Sequence, residues 1–167
     1  MSKKNFINLK DLEASLMRII LPELFPADER FDITLDDQEF LIQTMQKTPR
    51  EYPYLSEKIE EYYDSYVKFF LFGDSQDRMP DEIRIFNKVG FAYGYLTDCS
   101  YIIDHDQGIE FFLTVTVHVN ENKIYNDGKY EYDDGIKFLA ELGREIYELE
   151  KSRAKTNMPD LSQYLSN

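Results

Sequence analysis

Residues 83–119 read IRIFNKVGFAYGYLTDCSYIIDHDQGIEFFLTVTVHV, and this stretch decides the fold. Its last third alternates cleanly. Ile109, Phe111, Leu113, Val115, Val117 and Val119 point one way; Glu110, Phe112, Thr114, Thr116 and His118 point the other. A period of two marks a strand with one face on a core. Upstream, His105-Asp106-Gln107-Gly108 has the composition of a hairpin turn. Ser100 to Asp104 then forms a middle strand. Ile83 to about Leu96 forms the first, with Thr97-Asp98 between the two. Connections this short join antiparallel neighbours, so 83–119 is expected to be a three-stranded meander.

Helices flank the meander. Asn8 can cap a helix that starts at Leu9 and carries Leu9, Leu12, Leu16, Ile19 and Ile20 on one face, with Pro22 and Pro26 ending it. Thr34 with Asp37 makes an approximate capping box for a second helix over about 35–47, stopped at Thr48-Pro49. Tyr52-Pro53-Tyr54 reads as a loop and Ser56 to Tyr63 as a short polar helix. The apolar run Val67–Phe72 cannot be assigned by periodicity. After a polar loop, Gly135 to about Arg153 reads as a long final helix with Phe138, Leu139, Leu142, Ile146 and Leu149 as its apolar stripe. That helix most economically covers the Ile109/Val119 face. The expected class is therefore α+β, in a single domain over 1–167. Its parts are a helical 1–50, an aromatic connector 51–82, the sheet 83–119, the helix 135–153 and a tail 154–167.

Bulk properties exclude several functions. The formal net charge is −13, which repels phosphate backbones and anionic membrane surfaces. No apolar run reaches the ~20 residues of a membrane span. The start, MSKKNFINLKDLEASL, has basic residues but no apolar segment behind them, so it does not read as a signal peptide. On that basis the chain as it stands is cytoplasmic, or it is a piece of a protein whose leader lies elsewhere. The single cysteine, Cys99, excludes an internal disulfide and reads as a small buried apolar residue.

Few residues suggest chemistry on their own. Lys88, two positions before Gly90 on a strand, could present an ammonium to a carboxylate where the backbone comes close, or could be a solvated surface lysine. Ser65-Tyr66-Val67-Lys68 matches Ser-x-x-Lys, a spacing that lets an amine take a hydroxyl proton when both lie on one helix face. Here an aromatic run continues past it with no helix cap before it, so the match reads as chance. His105 and His118 have no cysteine or histidine at ligand spacing, so no metal is expected. No phosphate loop, dinucleotide fingerprint or calcium loop is present, so no cofactor is expected.

The order of the pieces says more than any one of them. Ile83-Arg84-Ile85-Phe86-Asn87-Lys88-Val89-Gly90, then Ala92-Tyr93-Gly94, Leu96-Thr97-Asp98, Tyr101-Ile102-Ile103-Asp104, the hairpin, the long strand and the last helix resemble the C-terminal end of the serine β-lactamase and penicillin-binding-protein-like superfamily. Tyr66-Val67-Lys68-Phe69, Phe72-Gly73-Asp74 and Asn126-Asp127 through Asp133 resemble a Bacteroidetes-type branch of β-lactamase-related serine hydrolases. The resemblance spans about residues 31–153. It implies a partial transpeptidase-like fold in which Lys88, Val89, Gly90 and Phe91 line an acyl-transfer cleft. Lys88 would orient an anionic group, Gly90 would let substrate lie along the strand, and the Phe91 N–H would supply half of an oxyanion hole. Val89 stands where the family has threonine or serine, which counts against β-lactam hydrolysis in particular. The resemblance also places Ser65 in a non-catalytic connector, leaving no nucleophile opposite Lys88. The chain thus resembles the C-terminal half of a serine hydrolase and is expected to be inactive alone. Its partner would be the missing N-terminal half, or a second copy paired through an exposed sheet edge. The alternative is a non-catalytic binding or interaction module on the same scaffold.

Overall fold

Three strands pair in the order β1 (Ile83–Ala92), β2 (Tyr95–Asp104), β3 (Ile109–His118), both pairs antiparallel. This computed structural model describes residues 7–164. Residues 1–6 of the segment that does not read as a signal peptide, and the last three residues of the expected tail, lie outside them. Helices flank the sheet as an α+β arrangement: α1 (Leu9–Ile20), α2 (Leu35–Gln46), a single turn α3 (Pro53–Ser56) and the long α4 (Tyr132–Ser152). Among the described residues no helix is long and apolar enough to cross a membrane.

The first hairpin turns earlier than the composition of Thr97-Asp98 suggests. The turn is Tyr93-Gly94, with φ of 53° and 82°, and Ala92 pairs with Tyr95 across it. Two left-handed residues match the twist of a two-residue hairpin, and glycine takes this conformation without strain. A Cβ on Gly94 would also lie 2.5 Å from the Val119 carbonyl. Thr97 and Asp98 consequently sit inside β2, which runs from Tyr95 rather than from Ser100.

The sheet is covered on both faces. Phe86, Cys99, Tyr101 and Ile103 pack against Leu16 and Ile20 of α1, with Ile42 and Met45 of α2 beside them and Leu161 and Tyr164 of the tail closing the cluster. On the opposite face Ile85, Leu96 and Ile102, with Phe111, Leu113, Val115, Val117 and Val119, meet Ile136, Leu139 and Tyr147 of α4. The final helix does cover the face predicted from the alternation of β3. Each fully buried side chain here, such as Phe86 or Ile102, contributes about 1.5–3 kcal/mol by leaving water.

Capping sets the first two helices as expected. Asn8 Oδ1 accepts from Asp11 N at 2.9 Å, and Thr34 and Asp37 form a reciprocal box. The segment between α2 and β1 departs from its expected form. Helix is found at Pro53–Ser56 instead of 56–63, and the run Val67–Phe72 is neither helix nor strand but a buried series of turns. Leu71 there takes φ of 66°, its carbonyl held by the Arg144 guanidinium at 2.6 Å.

Helix α4 starts at Tyr132, three residues before the predicted Gly135, and its inner face keeps Leu139 of the predicted stripe, with Leu142 and Ile146 half-buried, but is rotated away from the rest. Phe138 and Leu149 are exposed, whereas Gly135, Leu139, Ala140 and Gly143 are buried. The glycines explain the rotation. A Cβ on Gly135 would lie 2.3 Å from Leu96 Cδ1, and one on Gly143 would lie 2.6 Å from the Leu71 nitrogen. Only the glycine-bearing side lets the helix come this close.

Candidate functional site

Strand β1 is an edge strand. Its backbone parity follows from two hydrogen bonds. His105 N donates to Glu82 O at 3.0 Å, so even-numbered residues face β2. Ile85 O instead accepts from the Lys68 ammonium at 2.7 Å, on the outer side. The same parity turns the N–H and C=O groups of Asn87, Val89 and Phe91 outward, where no strand of this sheet lies.

Lys88, Val89, Gly90 and Phe91 are therefore brought together on an open rim. Lys88 is exposed and its ammonium folds back onto the Val89 carbonyl. Gly90 has nothing within 4 Å of where a Cβ would be, so that side is open space. Phe91 is 58% exposed, and its ring lies against Tyr132 at 5.4 Å and Phe69 at 6.5 Å. The hairpin tip is fastened just beyond, where Gly94 N donates to the Tyr132 hydroxyl at 3.0 Å. The rim thus combines one cation, an outward amide at Phe91 and an approach without side-chain bulk. Such a rim can hydrogen-bond an extended chain and accept an oxyanion, but it carries no nucleophile of its own.

Ser65 and Lys68 turn to different partners. The Ser65 hydroxyl donates to the Ser75 carbonyl at 2.6 Å. Lys68 is 2% exposed, and its ammonium donates to Met45 O at 2.9 Å, Ile85 O at 2.7 Å and Asn87 Oδ1 at 3.1 Å. The two residues lie in consecutive turns, with Lys68 N donating to Ser65 O at 3.0 Å, and not on a helix face.

Sequence reasoning overlooked what lies beneath the rim. Asn87, immediately before Lys88, relays Lys68 to Asp98: its Nδ2 donates to Val67 O at 2.8 Å and to Asp98 Oδ1 at 3.1 Å. Asp98 is fully buried and also accepts from Phe69 N at 3.0 Å and from the Ser100 hydroxyl at 2.7 Å. Burial pulls the Lys68 ammonium down to about 8, against the attraction of Asp98 and Glu51 and with a small push from Arg84. Burial likewise pushes the Asp98 carboxyl up, opposed by its bonds to Ser100, Asn87 and Phe69. Desolvation outweighs pairing at both ends, as it does for charges taken out of water. A lysine inside the apolar run Val67–Phe72 was the one visible signal of this network.

Other charged groups are paired or scattered. A cavity of about 200 Å³ lies between α2 and the start of β1, but the guanidiniums around it are taken up by Asp64, Glu51 and Asp81. His118 stacks on Tyr95 at 4.1 Å, and burial lowers the pKa of His105. Among the described residues no cluster of histidine, cysteine and carboxylate side chains could hold a metal ion. Compared with protein-family models, curated proteins and solved structures, the chain matches none, and the site stands on its own geometry.

Proposed function

We propose that the Lys88–Phe91 rim is one wall of an acyl-transfer cleft of the β-lactamase-related serine hydrolase kind. The opposite wall, with the nucleophilic serine, would come from another polypeptide segment. The observation that carries this reading is the outward N–H of Phe91 on an unpaired edge, beside the exposed Lys88 and the bare Gly90. An extended acyl chain laid on this edge would meet backbone donors, with its anionic end drawn to Lys88. In a chain of net charge −13, that lysine is the cation at the rim. With Ser65 bonded to Ser75 O and Lys68 to other oxygens, this chain alone performs no covalent step.

Two measurements test the reading. A fluorophosphonate probe should leave the chain unlabelled, whereas stoichiometric labelling at Ser65 would overturn the assignment of roles. N-acetylglycylglycine, an extended acyl chain ending in a carboxylate, should shift the amide resonances of Val89 and Phe91 in an NMR titration. No shift at millimolar probe would remove the cleft. A second reading, an interaction module paired through β1 with another copy, is favoured by the exposed Phe91, Tyr93 and Tyr95 beside the edge. A concentration-independent monomer in light scattering would dismiss it.

A further inference from the structure

The buried lysine does something the core does not need. An ammonium under the sheet costs several kcal/mol of desolvation, and a methionine of similar volume would fill the same space. Its three bonds tie two elements together: Met45 O at the end of α2, and on β1 both Ile85 O at the outer edge and the side chain of Asn87. Among the outward-facing residues, Ile85 is fully buried and Asn87 nearly so, whereas Val89 is half-buried and Phe91 exposed. The outer edge of one continuous strand is therefore shut as far as Asn87 and opens from Val89 onward. The boundary falls where the lysine network ends. Edge strands are commonly protected by charged side chains, and here the charge is spent on half of the edge.

We infer that Lys68 is a positioning residue that closes the β1 edge at Ile85 and Asn87 and confines a bound chain to Lys88–Phe91. The identity of what is bound rests on the acyl-cleft reading; the closing of the edge rests on geometry alone. Ile85 O, which would otherwise accept from an added strand, is occupied by the ammonium. Asn87 is held on both amide atoms, by Lys68 on one side and by Val67 O and Asp98 on the other. Before the Tyr93-Gly94 turn only the Val89 N–H and the outward groups of Phe91 remain, with the Val89 carbonyl reached only when the exposed Lys88 ammonium swings off it, enough for a chain of two or three peptide units and no longer.

Amide hydrogen exchange on the wild-type protein and on Lys68→Met/Asp98→Asn tests this. The double substitution removes both buried charges together, so the fold does not carry an orphaned ion. In the wild type, Ile85 and Asn87 should exchange at least about tenfold more slowly than Val89 and Phe91, although all four face outward. In the double variant the gap should close to within about threefold, and N-acetylglycylglycine shifts should spread to Asn87 and Ile85. A folded double variant that keeps the full gap would overturn the inference. Should the double variant not fold, the wild type decides: Ile85 and Asn87 exchanging as fast as Val89 and Phe91 would overturn it as well. A protein that ignores the probe yet shows the gap, and loses it in the double variant, removes the cleft reading and leaves the closed half-edge standing.

Discussion

Replacing Lys68 alone with methionine isolates the energetics of the buried network. Met45 O, Ile85 O and Asn87 Oδ1 lose their charged donor, and the Asp98 carboxyl loses the cation that attracts it. Each stripped buried acceptor costs about 1–3 kcal/mol. Against this, the wild-type ammonium carries a desolvation burden. A pKa of about 8 in place of 10.5 corresponds to roughly 3 kcal/mol that the charged form costs the fold. Taking about 2 kcal/mol, the middle of that range, for each of the three acceptors, the difference leaves Lys68→Met less stable by about 3 kcal/mol at pH 7, or roughly 6–12 °C in Tm for a domain of this size. Urea denaturation at constant m-value measures it. The pH dependence gives a second check with a definite sign. Between about pH 8 and 10.5 the unfolded chain holds a proton on this lysine that the folded chain has released. Wild-type stability should therefore gain on the variant as pH rises through that window, and the variant should lack this component. A variant within about 0.5 kcal/mol of wild type at pH 7, or a stability gap that shrinks from pH 8 to 10.5, would refute the reasoning.

Three further outcomes follow from other contacts. Tyr147→Phe removes the hydroxyl that donates to Asp104 at 2.6 Å and joins α4 to the end of β2; chemical denaturation should show a loss of about 1–2 kcal/mol. Gly143→Ala improves helix propensity by about 1 kcal/mol yet puts a Cβ against the Leu71 nitrogen and Phe70, so a net loss of about 1–3 kcal/mol in thermal unfolding is expected. Arg144→Ala breaks a two-pronged bond to Asp74 at 2.8 Å and a bond to Leu71 O. The guanidinium beside Asp74 holds its carboxyl below the usual carboxylate range, so the wild-type advantage is present above the ordinary carboxylate pKa and lost as pH falls below it. Because the pair is largely exposed, the effect in acid titration of stability should stay under about 1 kcal/mol.

The sheet and its covering helix were legible because β3 alternates without interruption and the caps at Asn8 and Thr34 are local. The first hairpin was not legible. Its turn places a tyrosine at φ of 53°, which tyrosine composition does not signal, and Thr97-Asp98 looks like a turn while serving as strand. The same misplacement hid Asp98, since an aspartate in a presumed turn reads as solvated. On α4 two overlapping apolar faces competed. Phe138 and Leu149 have the better spacing on paper, but Gly135 and Gly143 mark the side that can approach the sheet. The Lys88–Phe91 rim was found as a motif, and its exposure and outward amides came only with the register. Lys68 was weighed only as the partner of Ser65, because its real acceptors lie 17 to 23 residues away in sequence.

The open rim is most directly tested by amide exchange along β1 in the wild-type protein at several concentrations. Within 88–91 the protection should alternate, with Lys88 and Gly90 slow because they pair with β2, and Val89 and Phe91 fast at every concentration. Slow exchange at Val89 and Phe91 in dilute protein would mean that the edge is covered, and would contradict the cleft built on it.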